Sequence, residues 1–98
     1  MEINKILEEN KLTLAVKGRV DSVSAPELEA VVNDSLEGVE ELVFDFSELE
    51  YISSAGLRVL LTSYKKMAEK GSMKIVNIND VIKEIFEVTG FADIFTIE

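Results

Sequence analysis

Residues 42–78 read as three elements in succession, and that succession constrains the fold more than any other feature. Leu42-Val43-Phe44-Asp45-Phe46 is a short, nearly continuous apolar run, the pattern of a strand covered on at least one face. Leu57, Leu60, Leu61, Tyr64 and Ala68 then recur at i, i+3, i+4, i+7 and i+11, a helical stripe. Arg58, Thr62, Lys65, Lys66 and Glu69 fall mostly on the opposite side. Lys74-Ile75-Val76-Asn77-Ile78 is a second short strand. A helix between two such strands acts as a crossover, and a crossover places its strands parallel in one sheet.

The rest of the chain extends this unit. Ile3–Leu7 and Lys11–Val16 flank Glu8-Glu9-Asn10, which predicts a hairpin whose first strand lies at or near an edge. Gly18–Val23 is a loop or a short continuation of the second strand. Ser24-Ala25-Pro26-Glu27 has the form of a capping box, with Pro26 in the first turn, and predicts a helix from about Ala25 to Glu37. Its apolar residues are Leu28, Val31, Val32 and Leu36, and Gly38 is the stop. Ser47–Glu50 reads as a polar turn with one apolar anchor. The central helix spans about Ala55 to Lys70, with Lys65, Lys66 and Lys70 at its negative end and Gly71 beyond it. Asn79 or Asp80 caps a helix over 81–88 that Gly90 ends; a helical turn and a short extended piece follow. The expected architecture is a single α/β domain over 1–98, in the order β-β-α-β-α-β-α. Its sheet is mixed but largely parallel, with four to five strands.

Composition narrows the function. The chain has 98 residues, 47% hydrophobic and 30% charged, which suits one globular domain. Its 19 acids against 10 bases, a net charge of -9, argue against nucleic acid or an anionic membrane as partner. A basic protein surface suits it better. No apolar run could span a bilayer and no signal segment opens the chain, so a cytoplasmic protein is expected. Histidine and cysteine are both absent. That removes the usual zinc sites, thiol nucleophiles and histidine general bases. No glycine-rich phosphate loop is present. An enzyme using Asp21 or Asp45 is a minor reading, and neither cofactor nor metal is expected.

One stretch stands apart. In Tyr51-Ile52-Ser53-Ser54-Ala55-Gly56-Leu57-Arg58, two hydroxyls sit between an apolar run and the first turn of the central helix. A hydroxyl there can cap the helix, and it can also carry a phosphate that the helix end tolerates. Asp21 is either a turn acid or a partner contact. Gly56 is either a loose residue in the first turn or a point where a partner approaches closely.

These segments resemble the STAS domain family, which includes bacterial anti-sigma-factor antagonists. Ile52–Leu57 is similar to the family's apolar-Asp-Ser-Ser/Ala-Gly-Leu motif, with Ser53 standing where the family has Asp. Gly18-Arg19-Val20-Asp21, Leu42–Ser47 and Val88–Ile97 match three further family segments in order. The resemblance implies a non-enzymatic antagonist that binds an anti-sigma factor, itself a serine kinase. It implies Ser54 as phosphoacceptor, with Ser53 a minor alternative, release on phosphorylation, and a phosphatase that resets the switch. The partner-binding set it implies is Asp21, Ser22, Ser53, Ser54, Ala55, Gly56, Leu57 and Arg58. A phosphate on Ser54 is expected to meet repulsion from Asp21, Asp45, Glu48 and Glu50. An alternative within the family is a STAS subunit of a lipid or anion transport complex, with the serine unmodified.

Overall fold

The computed structural model describes residues 1–98. The strands are β1 (Glu2–Glu8), β2 (Lys11–Val20), β3 (Glu41–Asp45), β4 (Leu49–Ile52), β5 (Ser72–Val76) and β6 (Thr96–Ile97). The helices are α1 (Ala25–Ser35), α2 (Ser54–Ala68) and α3 (Asp80–Thr89), with a 3-10 turn at Phe91–Asp93. The sheet runs β1-β2-β3-β5-β6, and β4 pairs separately with β2. Only β1 is antiparallel to its neighbour; every other pairing is parallel. The α/β class and the mixed, largely parallel sheet are those expected. The strand order gains β4, which takes in Leu49 and Glu50 of the stretch expected to be a polar turn with one apolar anchor.

The hairpin takes a two-residue turn, with Glu8 paired to Lys11 and Glu9 at a φ of 56°. β1 is the sheet edge, and its Ile6 and Leu7 are exposed. In β2, Leu12, Leu14 and Val16 are buried while Lys11, Thr13 and Ala15 are half-buried, the alternation of a strand with one face on the core. β2 then runs on past Gly18 to Val20, so the first part of the 18–23 stretch is the short continuation expected as one alternative and the rest is a turn. A register shift between Gly18 and Arg19 lets β4 pair there.

The core is one cluster built from both layers. Phe44, Phe46, Leu42 and Ile75 come from the sheet side, and Leu28, Val32, Leu57, Leu60, Met67, Ile82 and Phe86 from the helices. α1 packs on α2, α2 on β5 and β4, and α3 on β4. The buried side of α2 is Gly56, Leu57, Val59, Leu60, Ser63 and Met67. It is rotated from the predicted stripe, for Leu61 and Tyr64 are half-buried and Ala68 is exposed. Ser63, a polar residue outside the apolar stripe, is tolerated in the core because its hydroxyl donates to Val59 O at 2.8 Å within the helix.

Gly71 does more than stop α2. A Cβ on it would lie 1.8 Å from Glu40 O, so the chain crosses the start of β3 at a distance only glycine allows. The next residue, Ser72, donates its N–H to that same carbonyl at 2.9 Å. At the other helix, Gly90 in the left-handed region ends α3, as predicted. No helix is long and apolar enough to cross a membrane.

Candidate functional site

The site forms where two parallel strands end side by side. Val20 at the end of β2 pairs with Ile52 at the end of β4. The next residue in each chain segment is Asp21 or Ser53, and Ser53 N–H donates to Val20 O at 2.8 Å. Carboxyl ends of parallel strands are where α/β folds present their binding groups.

The two serines have separate duties. Ser53 is the cap of α2: it is extended, and its Oγ accepts from Gly56 N–H at 3.4 Å. Ser54 is the first residue of the helix and is exposed. The cap reading considered for Ser54 therefore passes to its neighbour. The Ser54 hydroxyl stands at the surface above a helix end whose first N–H groups have no intrahelical acceptor.

The opposite loop is locked by Asp21. Its Oδ1 accepts from Val23 N–H and Ser24 N–H, both at 3.0 Å, and faces Ser24 Oγ at 3.1 Å. Ser24 Oγ accepts from Asp21 N–H at 2.9 Å and also lies 3.1 Å from Arg19 O, to which it can donate. The hydrogen bonds from the Ser24 backbone and side chain, then from Val23, hold the Asp21 carboxyl below its ordinary value of 3.8. This corrects the capping-box reading. Ser24 has helical φ and ψ and makes no side-chain cap, because its hydroxyl is engaged with the residues before it.

Ser22 from this loop meets Ala55 and Arg58 of α2 across a shallow cleft of about 350 Å³, with Glu29 of α1 on its wall. Ser22, Ser54 and Arg58 are exposed, while Asp21, Ser53 and Ala55 are half-buried. Gly56 and Leu57 are not available to a partner. Both are buried, and a Cβ on Gly56 would sit 2.6 Å from Ile52 Cγ1 and 2.8 Å from Val20 Cγ1. They are packing residues that seat the helix end on the two strands.

The acids expected around Ser54 are also re-sorted. Asp45 pairs with Ala15, five residues before Val20 along β2, or about 17 Å away. There it accepts from Ser47 N–H at 3.0 Å and Asn77 Nδ2 at 3.2 Å. Burial pushes its carboxyl up, but these Ser47 and Asn77 bonds outweigh that and hold it low. Glu48 is engaged by Lys17 at 3.1 Å, a contact that, with Glu2, raises the lysine pKa. Asp21 remains at the site itself.

Arg19 and Tyr51 were not singled out from the sequence as a pair. They meet because β2 and β4 pair, with the guanidinium 4.6 Å from the ring centroid. Beyond Tyr51 the surface turns apolar, with Val81 and Val88 of α3 exposed. No local signal marks this edge, since β4 itself was not read as a strand.

The STAS domain family profile matches residues 2–98, and the chain belongs to this family. A relative from Bordetella bronchiseptica named as an anti-sigma factor antagonist, BtrV, is 35% identical over 88 residues, covering 88% of this chain and 76% of its own. A crystal structure of an anti-sigma factor antagonist from Mycobacterium paratuberculosis superposes with a TM-score of 0.89 at 24% identity, over 98% of this chain and 83% of that one. The Bacillus cell fate determinant SpoIIAA in its phosphorylated form superposes with a TM-score of 0.76 at 14% identity, over 99% and 91%.

Proposed function

We propose that this protein is a cytoplasmic anti-sigma factor antagonist, a binding protein without enzymatic activity of its own, that works by partner switching. Unmodified, it binds an anti-sigma factor that is also a serine kinase, and so frees the sigma factor. The kinase then transfers the terminal phosphoryl group of ATP to Ser54 Oγ; the hydroxyl proton is lost, ADP leaves and the antagonist is released. A serine phosphatase restores the hydroxyl.

The observation that carries this reading is the division of labour at α2. Ser53 caps the helix, so the exposed Ser54 hydroxyl is free for chemistry. The relatives named as anti-sigma factor antagonists support the partner class. A phosphoserine adds about 1.5 to 2 negative charges. At the start of α2, next to Ala55 of the cleft that Ser22 and Arg58 also line, it changes the charge of the docking face without requiring the domain to refold.

The test uses the cognate anti-sigma factor kinase, with ATP and mass spectrometry. Ser54→Ala is expected to abolish labelling, and Ser54→Asp to weaken kinase binding about tenfold or more, a coupling of ~1.4 kcal/mol. Labelling that persists in Ser54→Ala, or undiminished binding by Ser54→Asp, would overturn the proposal.

A further inference from the structure

We infer that Arg58 is the intramolecular partner of a phosphate carried on Ser54, a clamp that holds the modified side chain against α2. The inference rests on Ser54 being the acceptor.

Ser54 and Arg58 are four residues apart in one continuous helix, so they share a face with Cβ atoms about 5–6 Å apart. Helical side chains lean toward the N-terminus, which directs the long arginine back over Ser54. Both residues are exposed, so neither must leave the core to meet. Arg58 is also uncommitted. The ion pairs of this protein run from Lys17, to Glu2 and Glu48, and from Lys74, to Glu41 and Glu98. Glu29 shares the cleft with Arg58 but makes no ion pair with it, and neither does Asp21, whose Oδ1 accepts from Ser24 and Val23. A free guanidinium one turn from the acceptor matches a phosphate through two parallel N–H···O bonds, which a lysine cannot reproduce.

The clamp has a functional consequence for the proposed switch. It draws the phosphate toward the cleft side of the helix and takes Arg58 away from any acidic group on the partner. Phosphorylation then removes a positive contact as well as adding negative charge.

The test places phosphoserine at position 54 during translation, so it does not depend on any kinase. The second ionisation of the phosphate, ordinarily near pH 6, is followed by ³¹P NMR. The charged groups nearest in the fold are Arg58 on α2, Glu29 across the cleft on α1, Asp21 on the preceding loop and Glu50 on β4. The chain has no histidine to titrate in the same window. The midpoint in the otherwise unaltered protein is expected about half a pH unit below that of Arg58→Gln, with Arg58→Lys between them. Equal thermal stability of unmodified wild type and Arg58→Gln controls for folding. Coincident midpoints would overturn the clamp and leave the acceptor assignment standing. Failure of the kinase to label Ser54 would remove the acceptor without moving the midpoints.

Discussion

Gly56 lies against Ile52 so closely that a methyl group on its Cα would stand 2.6 Å from Ile52 Cγ1. Val20 Cγ1, at 2.8 Å, closes the other side, and both neighbours are buried and unable to swing away. Gly56→Ala is therefore expected to destabilise the fold by about 1–3 kcal/mol through overpacking, despite alanine's better helix propensity. Urea unfolding measures it. Stability equal to or above wild type would show that the helix end shifts without cost.

Ser53 and Ser54 should separate in a thermal melt. Ser53→Ala removes the cap and is expected to cost about 0.5–1 kcal/mol, at the lower part of the usual range because the 3.4 Å bond is long. A fall of a few degrees in Tm follows. Ser54→Ala should leave the melt unchanged. A larger loss from Ser54→Ala than from Ser53→Ala would reverse the division of roles.

Acid should weaken the Asp21 loop. The Asp21 carboxyl has a lower pKa folded than unfolded, so its contribution is complete above about pH 4, near its ordinary value of 3.8, and is lost as pH falls through the lower folded value. Asp21→Asn keeps an oxygen acceptor but not the charge. At pH 7 it should melt below wild type, and the gap should close as pH falls from about 4 through the lower folded value. A gap that stays constant over that range would mean the charge is not what the loop uses. Asp45, which burial pushes up but Ser47 and Asn77 hold low, adds a loss of the same sign as pH falls through its own lowered value.

The elements legible in the sequence were those with a clear period or a local stop. The α2 boundaries came within two residues of the predicted span at each end, and Gly90 marked the end of α3. β4 was hidden because its four residues run buried, exposed, half-buried, buried, a pattern with no alternation. Its partner, the end of β2, is far away in the chain. The Ser24 motif had the right letters for a capping box, but Asp21 three residues earlier competed for the hydroxyl and won. Gly56 and Gly71 were read from local context as a loose turn or partner approach and as a helix stop. Both are places where another segment passes too near for a side chain, which only the tertiary fold can reveal.

Helix α2 is fastened at both ends. At Ser53 the chain is tied to Val20, and beyond Ala68 it is pressed at Gly71 against Glu40 and tied there through Ser72. A rod pinned twice has no stroke. The proposed phosphate on Ser54 would sit at one of these pinned ends, where a molecule that touches that end reads it. A signal of the proposed kind is a local mark, read by contact.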